Sequence, residues 1–323
     1  MKKILSLILV LVFVLTCAVA CNKPNTPEEP TEAPTEAPTE APTEDTTPAE
    51  KTYSLALAVD TAFGKGNKVS NIVMALVIDA DGKIVSARVD SVEATPALDE
   101  AGALVPQESV ATKVEKGDAY TGMTAGSWQA QATVFENWLV GKTAADVAAT
   151  EFTNELIAGC TMTSSMATFK TLVAEAFASE LKVSFTTAEA ITSSIAINTA
   201  VKSGKGGKIT VSSDVAAVVM AGGKVAAAAI DTIEQGYTIA EGALVPADLA
   251  ASKNEQGDAY TGMPAGAWYK QAAVFCKAIV GMTATELEAF EPVSDALAAA
   301  GCTMKNTPAG YKTTLIKAVS TAR

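Results

Sequence analysis

The chain has 323 residues, of which 36 are acidic, 24 are basic and none is histidine, so its formal net charge is −12. A surface this acidic repels phosphate backbones and argues against nucleic acid as a partner. The absence of histidine excludes Ser-His-Asp and Cys-His catalysis and removes the most common metal ligand. Because no Cys-x-x-Cys pair is present, we predict that Cys160, Cys276 and Cys302 are small buried hydrophobic residues.

Residues 1–20 have the pattern of a secretory signal peptide. Two lysines precede an apolar run, which is shorter than the roughly 20 residues that a membrane-spanning helix needs. Ala-Val-Ala-Cys at 18–21 then resembles a lipobox, in which the cysteine is acylated and becomes the new N-terminus. This resemblance implies a lipid anchor on Cys21, at the outer face of the cytoplasmic membrane or at the cell surface. Ordinary cleavage before an unmodified Cys21 is the alternative.

Residues 21–52 form a segment rich in proline, threonine and glutamate, with Thr-Glu-Ala-Pro three times from Thr31 onward. Proline restricts the backbone to extended conformations, and the glutamates repel one another. We therefore predict a disordered linker between the lipid anchor and the folded part of the chain.

The rest of the chain consists of two similar segments. Gly-Ala-Leu-Val-Pro at 102–106 recurs at 242–246, and Gly-Asp-Ala-Tyr-Thr-Gly-Met at 117–123 recurs unchanged at 257–263. Each segment is about as long as an independently folding domain. We predict two homologous tandem domains, 53–180 and 181–323, which are called copy one and copy two below.

The predicted elements of each copy begin with strands and continue with helices. Apolar and β-branched residues predict strands at Tyr53–Asp60, Val69–Asp79 and Lys83–Val92, with an Asp-Gly hairpin turn between the last two. Apolar residues at helical spacing predict helices from Trp128 and from Met166. This order predicts an α+β fold, with an antiparallel sheet packed by helices in each copy.

Each copy carries Ala-Gly-Cys-Thr just before its last predicted helix, at 158–161 and 300–303. One interpretation is a tight loop, in which glycine supplies the turn geometry and a threonine hydroxyl caps the helix. The segment also resembles the acceptor motif of the covalent FMN-binding domain, which is found in sodium-pumping quinone reductases and in extracellular electron-transfer lipoproteins. The layout of the whole chain resembles that of tandem-repeat surface lipoproteins.

In that family a separate flavin transferase esterifies the last threonine or serine of the motif with the phosphate of FMN. The resemblance implies Thr161 and Thr303 as acceptors. Glu155 stands where the family has aspartate, and copy two has Leu297 there. The following helix would offer unpaired N–H groups to the phosphodiester. The implied cofactor-binding residues of the motif are Ala158, Gly159, Cys160 and Thr161 in copy one, with Gly301, Cys302 and Thr303 in copy two.

The repeated Gly-Asp-Ala-Tyr-Thr-Gly-Met block is a second candidate site. Tyr120 and Tyr260, together with the tryptophan that follows each block, would line a flat aromatic ligand. Alternatively, these rings are part of the core and Asp118 is a turn residue.

Two functions follow from these patterns. The first is a membrane-anchored extracytoplasmic electron carrier with covalent FMN, whose partners are a flavin transferase and a redox partner. The second is a non-catalytic surface lipoprotein that binds a small ligand or a protein through degenerate FMN-binding-like domains. The chain shows no catalytic constellation of its own, so redox activity is expected only with a bound flavin.

Overall fold

The computed structural model describes residues 48–323, except 121–122, 124–125, 153–156, 158, 163–164, 205–206, 261–262, 264–265 and 306. The predicted signal peptide, Cys21, most of the predicted linker, Glu155 and Ala158 lie outside the described residues. None of the helices within the described ranges is long and apolar enough to cross a membrane.

The strands among the described residues are β1 (Lys51–Phe63), β2 (Val69–Asp79), β3 (Ile84–Ala94), β4 (Ala97–Leu98), β5 (Leu104–Val105), β6 (Gln107–Val110), β7 (Val183–Thr187), β8 (Ile191–Ser203), β9 (Ile209–Ala221), β10 (Lys224–Ala240) and β11 (Ala243–Pro246). All of their pairings are antiparallel. The three strands predicted in copy one are β1, β2 and β3, and β1 is longer than expected at both ends.

The α-helices among the described residues are α1 (Lys113–Lys116), α2 (Trp128–Leu139), α3 (Ala144–Ala149), α4 (Met166–Ala178), α5 (Lys253–Gln256), α6 (Trp268–Ala278), α7 (Ala284–Ala289), α8 (Asp295–Ala299) and α9 (Pro308–Ser320). The helices predicted from Trp128 and from Met166 are confirmed as α2 and α4. The mixture of helices with antiparallel sheets confirms the predicted α+β class.

Short-range side-chain hydrogen bonds begin and end several of these elements. The Asp79 carboxylate accepts hydrogen bonds from the backbone N–H groups of Asp81 and Lys83, and Gly82 has φ +75°, which closes the hairpin between β2 and β3. Thr143 and Asp146 form a capping box at the start of α3, and Thr283 and Glu286 form one at α7.

Two sheets form the centre of the folded unit. One has the strand order β3-β2-β1-β7 and the other β11-β10-β9-β8-β6. The sheets face each other, and each has helices on its outer side, so the layers run helix, sheet, sheet, helix. The layer that packs on the first sheet is α2, α3 and α4, and its counterpart on the second sheet is α6, α7 and α9.

The central strands β2 and β9 are buried on both faces. In β2, Met74 and Leu76 pack under the helices of copy one, whereas Val73 and Val77 face the second sheet. Strand β9 follows the same alternation, with Val218 toward its helices and Val215 toward the first sheet. Successive side chains of a strand point to opposite faces, so one strand serves two cores.

Residues of both copies build the core between the sheets. One of its clusters joins Val59, Val73 and Val92 of copy one to Ile197, Val215 and Ile233 of copy two. The copies also exchange edge strands, since β7 pairs with β1, and β6 pairs with β8. The described part of the chain is therefore one compact unit.

Candidate functional site

The Gly-Cys-Thr step has the same backbone geometry in both copies. Gly159 has φ +85° and Gly301 has φ +105°, a region that side chains with a Cβ atom rarely adopt. The cysteine that follows is buried in each case, in the core under the helices. The predicted turn role of the glycine is thus confirmed, and so is the burial of Cys160, Cys276 and Cys302.

A buried glutamine holds the threonine of each step. The backbone N–H and the hydroxyl of Thr161 both donate to Gln131 Oε1, at 2.6 and 2.9 Å. Thr303 donates to Gln271 Oε1 in the same way, at 2.8 and 3.0 Å. Gln271 is 1% exposed, and its side-chain amide donates to the carbonyl oxygen of Gly266 at 3.2 Å. The glutamine therefore ties the step to the loop that leads into α6.

Neither glutamine was among the residues predicted from the sequence. Each occurs at the fourth position of a helix that starts with tryptophan, in copy one as Trp128-Gln129-Ala130-Gln131 and in copy two as Trp268-Tyr269-Lys270-Gln271. The signal that could have indicated them is that glutamine occurs at the same helix position in both copies. Spacing alone does not show that the side chain turns toward a loop 30 residues further along in copy one.

A lysine and two aromatic rings form a cluster that is also duplicated. The ammonium of Lys113 lies 5.1 Å from the ring centroid of Tyr120 and 5.8 Å from that of Trp128. Lys253 lies 5.1 Å from Tyr260 and 5.7 Å from Trp268. These distances are within the range of cation–π attraction. Both tryptophans are buried, so the prediction that they belong to the core holds for them.

Each lysine of these clusters also pairs with a glutamate. Lys113 Nζ lies 3.1 Å from Glu93 Oε1, and Lys253 Nζ lies 3.3 Å from Glu234 Oε1. Burial acts to lower the pKa of Lys253, but the neighbouring Tyr311, Glu234 and Tyr260 outweigh it and leave that pKa above its ordinary value. Lys253 is therefore a cation at neutral pH.

In copy two this cluster opens into a cavity of about 600 Å³. Lys253, Tyr260 and Trp268 form part of its wall, and Cys302 and Thr303 of the Gly-Cys-Thr step form another part. Three of the residues predicted for copy two, Tyr260, Cys302 and Thr303, are thus brought to one place. A cavity of this size is typical of small-molecule sites.

A short insertion shapes this cavity. Between the glutamate and the glycine that both copies share, copy one has residues 152–158 and copy two has the longer stretch 292–300. The longer stretch contains α8, whose N-cap Ser294 and whose Ala298 line the cavity. Lys305 lines it as well, and copy one has Thr163 at the equivalent position, outside the described residues.

The helix that follows the step also reaches the cavity. Thr307 is the N-cap of α9 and a lining residue, and Pro308 occupies the first turn. The side chain of Thr307 makes no capping hydrogen bond at the N-terminus of α9, nor does that of Ser165, the N-cap of α4 in copy one. In the alternative interpretation the capping hydroxyl of copy one belongs to Thr161 or Thr163. The Thr161 hydroxyl donates to Gln131, and Thr163 lies outside the described residues.

A buried aspartate positions the segment before each tyrosine. Asp90 accepts hydrogen bonds from the N–H groups of Ser91 and of Val114, the latter in α1, at 2.7 and 3.1 Å. Asp231 accepts from Thr232 and from Asn254 in α5, at 2.7 and 3.0 Å. Burial raises the pKa of each carboxyl to about 6, against an ordinary value of 3.8.

These raised pKa values predict a pH dependence of stability. The native state binds more protons than the unfolded state between about pH 4 and 6. The free energy of unfolding should therefore fall as the pH rises from 4 to 7, by roughly 3 kcal/mol for each aspartate. An Asp90→Asn, Asp231→Asn double variant, which keeps an acceptor oxygen at both places, should lose this part of the slope in urea titrations at several pH values. An unchanged slope in the variant would contradict the prediction.

No protein-family model, curated protein or solved structure matches the chain. The class that the fold and the site define is an α+β protein with two internal copies and a cavity in the second of them.

Proposed function

We propose that this protein is a membrane-anchored, extracytoplasmic electron carrier, with FMN joined to the chain through a threonine phosphoester. The observation that supports it best is the cavity beside Thr303, because a flavin attached there would have a hydroxyl, two aromatic rings and two lysines around it. FMN supplies the redox chemistry when it is bound, and the chain supplies placement and charge.

The residues of the cavity fit such a group by their chemistry. Tyr260, in the cavity wall, offers aromatic surface to a flat ring system. Lys305 and the N-terminus of α9 offer positive charge and N–H donors to a phosphate. Thr303 is the acceptor that the described geometry favours, and Thr161 is its equivalent in copy one.

Gln271 would have a defined part in the attachment. Its Oε1 accepts from both the N–H and the hydroxyl of Thr303, which orients the hydroxyl oxygen. Esterification would form a bond between the hydroxyl oxygen and the phosphorus of an activated flavin-phosphate donor bound to the transferase, while the bond from that phosphorus to its leaving group breaks and the hydroxyl proton is removed. The N–H bond of 2.8 Å would remain and continue to hold the loop. A glutamine amide is not a base, so the transferase would have to take up the proton.

The proposal includes the anchor and the partners that the sequence predicts. A lipid on Cys21 and the proline-rich linker would hold the carrier at the outer face of the membrane, within reach of a donor in the membrane. The net charge of −12 would steer cationic redox partners toward it and repel anionic ones.

The test is intact-mass analysis after co-expression with a flavin transferase. We expect a mass increase for covalent FMN, with fluorescence on a denaturing gel, that is lost in Thr303→Ala and kept in Thr303→Ser. Thr161→Ala is the matched control for copy one. The same spectrum reports the lipid at Cys21. A Thr161→Ala, Thr303→Ala double variant that keeps its flavin would contradict attachment through these threonines.

One observation favours a different function, a non-catalytic binding module. The hydroxyls of Thr161 and Thr303 donate to a buried glutamine in both copies, which is also what a purely structural threonine would do. A colourless protein after co-expression, with the mass of polypeptide plus lipid, would favour the module.

A further inference from the structure

A second concave surface, which we call the β7 groove, lies between β7, β10 and α6. It has a volume of about 820 Å³ and shares no described lining residue with the cavity beside Thr303. The whole stretch 180–186, which includes most of β7, lines it. Because successive side chains of a strand point to opposite faces, a groove that contacts every residue in a row follows the edge of the strand.

That edge of β7 has no strand beside it. Strand β7 is the last strand of the first sheet, and it pairs with β1 through Val183–Thr187. No further strand pairs with its outer edge within the described ranges. Every second residue of an edge strand directs its N–H and C=O groups away from the sheet. An extended peptide can add to such an edge as a further strand.

Helix α6 forms the opposite wall of the groove. Tyr269, Ala273 and Lys277 line it at intervals of four residues, which is one face of a helix. At about 1.5 Å per residue this wall is about 12 Å long, which matches about four residues of extended chain. A strand edge opposite a helix face therefore leaves room for a short extended segment.

Small side chains keep the groove open. Ala229 and Cys276 both line it. In copy one the equivalent residues are Arg88 and Glu136, whose side chains lie 3.5 Å apart and form an ion pair. The same place that charged side chains fill in copy one is thus lined by an alanine and a cysteine in copy two.

The charge of the groove favours an acidic occupant. Lys270 lies 3.2 Å from Asp258, but their side chains are 59% and 75% exposed, and such pairs contribute little. The ammonium of Lys182 donates to two carbonyl oxygens at the end of α4. Lys277 has no ion-pair partner in the described part of the chain. The charged residues of the lining are three cations and one anion, Lys182, Lys270, Lys277 and Glu180.

We infer that the β7 groove binds an extended, acidic peptide segment of a partner protein, which adds to β7 as a strand. Main-chain hydrogen bonds to the outer edge of β7 provide the affinity, and Lys270 and Lys277 on the opposite wall select for carboxylates. The inference goes beyond the proposed function and does not depend on a flavin.

The test uses the full mature chain and a fluorescent heptapeptide that alternates glutamate with valine, in anisotropy titrations. We expect this peptide to bind about tenfold more tightly than the same peptide with lysine in place of glutamate, because of the charges on the α6 wall. Lys277→Glu should weaken binding about fivefold, the size of effect that one exposed ion pair provides. Lys65→Glu, in the turn after β1 and away from the groove, is the matched control and should change nothing.

Two further measurements identify the mode of binding. N-methylation of every second residue removes the peptide N–H groups on one side, so one of the two alternating patterns should weaken binding about tenfold and the other should not. The bound peptide should also slow hydrogen exchange at Val183–Thr187 and leave Ala243–Pro246 unchanged.

The inference is overturned if the glutamate peptide does not bind, if both peptides bind equally, or if Lys65→Glu weakens binding as much as Lys277→Glu. Equal binding of both N-methylated forms would exclude strand addition. Binding of dodecanoate in place of the peptide would assign the groove to small amphipathic anions and would also overturn it. The peptide comparisons use the unmodified chain, so they decide the matter even if Lys277→Glu fails to fold.

Discussion

Val215→Asp should leave no folded protein at 25 °C. Val215 is 0% exposed and lies between the sheets, packed with Val59, Val73 and Val92 of copy one. A carboxylate there is buried without a partner, and the cost of more than about 4–5 kcal/mol is comparable to the whole stability of a typical domain. Both copies should unfold together, because the cluster belongs to both.

Circular dichroism and thermal unfolding would measure this effect. Val245→Asp is the matched control, since Val245 is 44% exposed in β11, and it should change stability little. A different result is expected if 53–180 and 181–323 fold as independent domains. In that case Val215→Asp would retain about half of the native signal, with the transition of copy one intact, and the shared core would be energetically unimportant.

Glu136→Ala should have the next largest effect on stability, about 3–5 kcal/mol. The Glu136 carboxylate is 3% exposed, and it accepts from the Val89 N–H at 2.9 Å and lies 3.5 Å from Arg88. The side chain of Arg323, from copy two, contributes a second guanidinium at 2.9 Å. Removing the carboxylate leaves Arg88 largely buried without a counter-charge, and the Val89 N–H without its acceptor.

The pKa shifts of Glu136 and Arg88 both reflect the burial of this ion pair. Burial raises the pKa of Glu136 and lowers the pKa of Arg88, so both charges are held against a desolvation cost. Glu136→Gln keeps an acceptor for Val89 and should therefore cost less than Glu136→Ala. Urea unfolding would measure the free energy of unfolding of both variants, with Glu151→Ala as the exposed control. Equal stability of Glu136→Ala and the unmodified chain would show that the cluster contributes nothing.

Copy two has no charged residues at the positions equivalent to Glu136 and Arg88. Glu136 of α2 has Cys276 as its counterpart in α6, and Arg88 has Ala229. The ion cluster therefore exists once, where the end of copy two packs against copy one. Its partners come from segments that are far apart along the chain, and no local pattern indicates that they meet.

Part of the candidate site was predictable for a physical reason. Gly159 and Gly301 were identified because a turn before a helix needs a positive φ, which is a local requirement. Tyr260 and Thr303 were each selected from motifs, but the sequence did not place them in one cavity. Gln271, Lys253 and Lys305 were missed, since a lone glutamine or lysine carries no pattern that separates a cavity wall from a solvated surface.

By itself the sequence determined the elements of this protein and their order. The strands β1, β2 and β3, the Asp-Gly hairpin turn and the apolar faces of α2 and α4 depend on residues close together in the chain, and those interactions are set by spacing. Only the tertiary structure decided how the copies combine. Strand β2 has apolar residues on both faces, with Met74 on one and Val73 on the other, and this shows that both faces are covered. The pattern does not show which element covers each face, because any apolar surface of suitable shape can pack against the same residues. Packing across the whole unit places the helices on one face and the second sheet on the other.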